Sequence, residues 1–336
     1  MTFRLQGIGV SLINFSRAVV LIVAAALSGN AATPKVLNFG VVPTESSHTL
    51  RKDYEPVRLG LEAATGMKVE MFFAPDYTGV IEAMRFDKVH LALLGNNSAI
   101  DAVDRAQAEI FSQTIDKDGN PGYWSLIVVH RDSPINTLEE MLARRAQLTL
   151  ALGDHQSTSG TLVPVYYAFT LNGVNPTREF KAFRHAHHEA NILAVASKQV
   201  DVATCSNEAM FRLEQFQPQM ARRVKAIWKG PMIASDPLAW RRNLPAELKA
   251  KIAGFFAGYG DTAEERASIA PLKWSGFRPS TNAQLNPYRL LRVLKEKASV
   301  EADEKLPVAQ KAAKLAELAA KQAELEQVIG TANGHD

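Results

Sequence analysis

Gly153-Asp154-His155-Gln156-Ser157-Thr158-Ser159-Gly160 places three consecutive hydroxyl side chains between two apolar runs. Before it, Gln147 to Leu152 alternates and predicts a strand. After it, Thr161 to Leu171 is apolar for long enough to predict a buried helix. The first turn of a helix leaves backbone N–H groups without partners, and the helix dipole makes that end partly positive. Hydroxyls and amides together then form a small anion pocket suited to phosphate-like groups. The same residues also fit a plain N-cap, in which Ser or Thr accepts from an amide of the next turn. On this stretch alone both readings stand.

The unit of strand, loop and helix recurs on either side. Val36 to Val42 predicts a strand, and Leu50 to Thr65 a helix with Leu50, Tyr54, Val57 and Leu61 on one face, stopped by Gly66. Met67 to Phe73 predicts a second strand, Ala74 to Gly79 a turn, Val80 to Phe86 a helix, and Val89 to Leu94 a third strand. A helix then runs from the Gly95-Asn96-Asn97-Ser98 step through Ala108. Beyond the turn ending at Pro121-Gly122, Tyr123 to His130 reads as a long strand. Phe180 to Arg184 and Val200 to Thr204 follow as strands, with a helix over Glu189 to Lys198 between them, and one more strand lies between Ala226 and Trp240. Pro245 to Tyr259 is amphipathic, and the globular part closes near Phe277. Such alternation predicts α/β lobes with mostly parallel strands flanked by helices, one lobe on each side of His130. Two lobes of similar size form a clamshell, with ligands held where loops leave the carboxyl ends of strands. Val308 to Ile329 differs: Leu315, Leu318, Leu325 and Ile329 give one C-terminal amphipathic helix, which either packs on its own body or makes a homodimer contact.

Composition bounds the setting. With 336 residues and 46% of them apolar, the chain can bury two cores. Residues 1–32 read as a cleaved signal peptide, with Arg4 and Arg17 as a positive region ahead of a short apolar run, Ala18 to Leu27, and small residues at Gly29 to Ala32. That run is short for a bilayer span, which leaves an uncleaved anchor as the alternative. Removing the segment takes away two arginines and no acid, lowering the formal net charge from +3 to about +1. A nearly neutral chain offers no electrostatic case for nucleic acid. The single cysteine, Cys205, permits no disulfide within the chain and no lipid at the cleavage site; it reads as a small apolar filler or a reactive thiol. A soluble protein of a bacterial periplasm is expected.

Several separated segments also resemble one family. Leu37 to Ser46 (LNFGVVPTES), Phe72 to Phe86 (FFAPDYTGVIEAMRF), Gly119 to Ser125 (GNPGYWS), Asp132 to Leu138 (DSPINTL), Ser157 to Pro164 (STSGTLVP) and Val195 to Thr204 (VASKQVDVAT) resemble, in order, the periplasmic phosphonate-binding proteins of bacterial ABC importers. The resemblance implies a type 2 periplasmic-binding fold whose two lobes close on an alkylphosphonate, and partners in a membrane permease and its ATPase, with no cofactor and no catalysis. It implies lobe 1 at 33–128 and 233–290, lobe 2 at 129–232, and a C-terminal extension at 291–336. It places Ser157, Thr158, Ser159 and His188 at the phosphonate oxygens, Tyr77 and Tyr123 along the cleft, and Glu208 and Asp236 at the amino group of 2-aminoethylphosphonate. Arg184 to His188 is rich in histidine, so the matching step falls on His187 or His188.

Chemistry agrees with that placement. Hydroxyls and helix-terminal amides donate to three phosphonate oxygens, and a primary ammonium wants carboxylates. Each residue also has a plainer role: Tyr77 as a turn aromatic, Tyr123 as core, Glu208 as a first-turn acid, Asp236 as a turn residue before Pro237. Two rivals remain in view. A metal carrier would use His155, His185, His187, His188 and Glu189, without the regular spacing of a zinc site. A hydrolase would use Ser157 or Ser159, without a Gly-x-Ser-x-Gly elbow.

Overall fold

The computed structural model describes residues 33–333; the expected signal segment lies outside them. Strand β1 (Val36–Val41), helix α1 (Ser47–Thr65), β2 (Lys68–Phe73), α2 (Tyr77–Arg85), β3 (Leu91–Leu93), α3 (Asn96–Arg105) and β4 (Ala108–Asp116) build most of the first lobe. The chain then crosses to β5 (Gly122–His130), α4 (Leu138–Arg144), β6 (Thr149–Leu152), β7 (Ala182–His185), α5 (His188–Ala196), β8 (Val202–Ser206), α6 (Asn207–Phe216) and β9 (Val224–Ala234). It returns through Ser235 and Asp236 to β10 (Pro237–Arg241), α7 (Ala246–Gly258) and β11 (Trp274–Pro279), and ends in α8 (Asn286–Glu301) and α9 (Val308–Asn333).

The strands form a six-stranded sheet, β11-β4-β10-β3-β1-β2, and a five-stranded sheet, β7-β6-β8-β5-β9. Both sheets are mixed, where mostly parallel sheets were expected. Pairing is parallel between β1 and β2, β1 and β3, β6 and β7, and β6 and β8; β5, β10 and β11 pair antiparallel with their neighbours. The cause is connectivity. For β5 and β10, a chain arriving from the other lobe enters its sheet at the cleft end, where β1, β3, β6 and β8 finish, and so runs against them. The expected boundary between residues 128 and 129 falls inside β5; the passage between sheets comes earlier, between Asp116 and Gly122.

Helix positions follow their apolar spacing. Leu50, Tyr54, Val57 and Leu61 on α1 are all buried against Leu37, Phe39 and Phe256. Burying each such side chain is worth about 1.5–3 kcal/mol. Ser46 caps α1 by accepting from the Thr49 amide, and Gly66 ends it in the left-handed conformation at φ 70°, which costs glycine nothing. The opposite face of the same sheet is covered by α2 and α3 through Val80, Met84 and Ala99. The second lobe has its own cores on both faces of its sheet. Leu318 of α9 is buried and Leu315, Leu325 and Ile329 are half-buried, with Lys314 of α9 paired to Glu296 of α8 and Lys297 of α8 donating to Gln322 of α9. The C-terminal helix therefore packs on its own body. No helix among the described residues is long and apolar enough to cross a membrane.

The stretch after the hydroxyl loop is not the regular helix its apolar run predicts. Thr158–Leu162 and Val165–Phe169 wind as π-helical turns and Thr170–Asn172 as a 3-10 turn. Pro164 has no N–H to donate, and the wide first turn is closed by the Leu162 amide donating to the Ser157 carbonyl at 3.0 Å.

Candidate binding site

The loop from Gly153 to Gly160 leaves the carboxyl end of β6 and folds back on itself. Gly153 N–H donates to the Gly160 carbonyl at 2.9 Å, and a Cβ on Gly153 would stand 2.4 Å from Gly160 Cα. Only a pair of glycines can approach this closely. The Thr204 hydroxyl fastens the pinch, accepting from Gly153 N–H at 3.0 Å and donating to the Gly160 carbonyl at 2.6 Å. Ser157, Thr158 and Ser159 are thereby held on a tight bend and are all buried.

The loop does more than cap its own turn. Ser157 Oγ accepts from the Gly160 amide at 2.9 Å, as an N-cap should, and also lies 3.3 Å from His188 Nε2. Thr158 Oγ1 accepts from the Asn97 amide at the start of α3 at 2.8 Å. The Ser159 carbonyl accepts from the Ser125 hydroxyl at 2.6 Å. Asp154 accepts from the Tyr77 amide, at the start of α2, at 3.3 Å, and Gln156 donates to Asp101 at 2.7 Å. Three helix beginnings, α2, α3 and the turn after Ser157, thus converge on one bend that joins the two lobes. The positive ends of the two α-helices and the free amides make this end of the cleft receptive to an anion.

His188 opens α5 and is buried. Burial and then the charge of His187 lower its imidazole to about 4, so it is neutral at neutral pH, and its Nδ1 has no partner among the described residues. His187 instead caps α5, accepting from the Ala190 amide at 3.2 Å. Of the two histidines the sequence leaves open, His188 is the one at the hydroxyl loop. His155 and His185 stack at 3.7 Å between centroids, away from any third ligand. Among the described residues no group of three or more His, Cys, Asp or Glu could hold a metal ion.

The other end of the cleft is acidic. Tyr123, near the start of β5, donates its hydroxyl to Asp236 Oδ1 at 2.8 Å, bridging the two passages between lobes. Burial pushes Asp236 up to about 7, with Tyr123 opposing. Burial and then the charge of Asp236 push Glu208, in the first turn of α6, up to about 8, with the Trp274 indole opposing. Among the described residues neither acid is in an ion pair. Burial, then the charge of Asp236, raises the Tyr77 phenol, with the Ser157 hydroxyl opposing; Tyr77 thus stands between the two ends. The structure links Ser157 to His188, Tyr77 to both Ser157 and Asp236, and Tyr123 and Glu208 to Asp236, while Ser159 is tied through its carbonyl to Ser125.

Residues the sequence does not single out complete the acidic end. Arg212, one turn after Glu208 on α6, pairs with Glu45 at 3.2 Å and with Asp53 at 2.7 Å, both in the first lobe. Thr44 donates its hydroxyl to Glu45. Tyr54 and Trp274 line the same cavity of about 40 Å³. The i,i+4 spacing of Glu208 and Arg212 was a readable signal of one helix face; the partners are more than 150 residues away in sequence. Cys205 is wholly buried, and burial pushes its thiol well up, the behaviour of a core filler.

Two α/β lobes joined by two passages, closed over a polar cleft at the carboxyl ends of their strands, define a periplasmic solute-binding protein of the type 2 fold. A family model described as "ABC transporter, phosphonate, periplasmic substrate-binding protein" matches residues 39–285. The chain belongs to that family, whose members serve membrane permeases and their ATPases. It is 46% identical to the phosphonates-binding periplasmic protein of Escherichia coli strain K12, over 88% of this chain and 87% of that one. The crystal structure of a binding component of a Pseudomonas aeruginosa ABC phosphonate transporter superimposes with a TM-score of 0.87 at 48% identity, covering 90% of this chain and all of the other. A phosphate-import protein of Mycolicibacterium smegmatis is 28% identical over 71% of this chain and 79% of its own.

Proposed function

We propose that this chain captures 2-aminoethylphosphonate and related alkylphosphonates between its lobes and presents them, closed, to the permease. Residues 1–32 are then the signal that exports it, and the chain performs no chemical step. The observation carrying this reading is the polarity of the cleft. Hydroxyls, helix-start amides and the neutral His188 gather at one end, and at the other Glu208 and Asp236 lie close enough for the charge of Asp236 to raise Glu208, with neither in an ion pair among the described residues.

Ser157, Thr158 and Ser159 would bind the phosphonate oxygens, with His188 Nδ1 a buried group still lacking a partner. Glu208 and Asp236 would hold the ammonium, and Tyr77 and Tyr123 would flank the carbon chain. Phosphate would leave both acids buried without a cationic partner, a penalty that selects for the amine. The likeness to a phosphate importer supports a second reading, inorganic phosphate as ligand. Calorimetric titration of protein lacking residues 1–32 separates them. Aminoethylphosphonate should bind more tightly than methylphosphonate, phosphite and phosphate; phosphate binding as tightly as the amine rejects the proposal.

A further inference from the structure

We infer that Arg212 is a specificity-determining residue: it forms, on closure, the wall that limits how long an aminoalkylphosphonate can be. The inference rests on the ligand proposed above and adds what sets its length. Two spaces adjoin at the acidic end. The inner one, about 40 Å³, holds Glu208 and Asp236; the outer one, about 190 Å³, lies between α1 and α6 and opens to solvent past Lys52 and Phe216. Only Glu45, Ala209 and Arg212 line both. Ala209 is too small to divide them, and Glu45 is itself held by Arg212 and Thr44. The guanidinium is thus the partition.

The partition belongs to both lobes. Arg212 rides on α6 of the second, and its acceptors Glu45 and Asp53 sit before and within α1 of the first. Opening the cleft must separate them. The side chain is 9% exposed, and its Nε has no partner among the described residues, so Arg212 depends on its two carboxylates for compensation. A ligand whose ammonium reaches Glu208 and Asp236 leaves the triad intact. One methylene more pushes the ammonium toward Glu45, displaces the guanidinium and prevents full closure. Length is read by whether the jaws can meet, not by a rigid pocket present beforehand.

The test is a homologous series, 2-aminoethyl-, 3-aminopropyl- and 4-aminobutylphosphonate, titrated against wild type, R212A and R212K, with methylphosphonate as the control for the oxyanion end. Wild type should lose roughly ten-fold or more in affinity on going from two carbons to three. R212A, which joins the two spaces and also removes a contact between the lobes, should weaken methylphosphonate and the two-carbon amine by a similar factor yet remove most of the difference between two and three carbons; R212K, which retains a cation against Glu45, should keep that difference. A parallel loss for every ligand in R212A means a merely structural arginine and overturns the inference. Should R212A fail to fold, the wild-type series still decides, since equal binding of two- and three-carbon ligands denies that any wall exists. Failure of wild type to bind any phosphonate is a different result and removes the underlying functional reading instead.

Discussion

Replacing Glu208 by glutamine keeps the shape of the amino end of the cleft and removes one of two facing carboxylates. Hydrogen bonds to charged groups are worth about 1.5–3 kcal/mol, so with both acids ionised the amine ligand should bind roughly ten- to hundred-fold more weakly. Glu208 and Asp236 titrate as a pair pushed up to about 8 and about 7, so near neutrality the ligand-free cleft carries a proton that the ammonium must displace. The sign follows: below these values the proton is retained and competes with the ligand, and above them it is gone and affinity rises. Ionising a group whose titration lies one unit above the working pH costs at most about 1.4 kcal/mol. The penalty of E208Q should therefore grow, by up to about ten-fold, between pH 7 and pH 8.5. Titration calorimetry in buffers of different ionisation enthalpy counts the protons. Wild type should release more with aminoethylphosphonate than with methylphosphonate at pH 7, and E208Q should reduce the excess to what Asp236 alone supplies. Equal loss for both ligands, or no excess protons from wild type, refutes the assignment of the acids to the amine.

Three further outcomes are expected. A Cβ at Gly160 would meet Gly153 Cα at 2.7 Å and Ser157 Oγ at 2.8 Å, so Gly160→Ala should cost about 1–3 kcal/mol in thermal denaturation and weaken every phosphonate alike. Stability without ligand should fall as pH rises from the ordinary carboxylate range near 4 to about 8 and level off above, because the raised Glu208 and Asp236 favour the fold in their protonated forms; D236N should flatten that decline in melts across pH. His188, lowered to about 4, acts oppositely and costs stability as pH drops through its ordinary range near 6.5.

The sequence made the elements legible where burial alone decides them. The apolar spacing of α1 and its Gly66 stop, strands β1, β2, β3, β5 and β8 and the hydroxyl loop follow local rules, whereas β4 and β11 are not among the predicted strands and the single strand expected between Ala226 and Trp240 is two, β9 and β10. The direction of β5 and β10 was not readable, since it depends on which end of a sheet the chain enters. The irregular winding after Ser157 was hidden by an apolar run that fits a helix, although Pro164 and Gly160 are its visible causes. Thr158 reads as a cap but spends its oxygen on Asn97 of the other lobe. Arg212 was missed for the same reason: its role is defined by two acids on a distant helix and loop, brought near only by tertiary folding.

Asp236 lies between β9 and β10, on the span joining the lobes, and its carbonyl accepts from the Thr114 amide at 3.1 Å. A residue at the pivot of a hinge keeps its address while the arms swing. With the ligand placed as proposed, the carboxylate there would meet the amine while the mouth is still wide, whereas the oxyanion end would be finished only when Asn97 reaches Thr158. Arrival and retention would then be governed by opposite tips of the same small molecule.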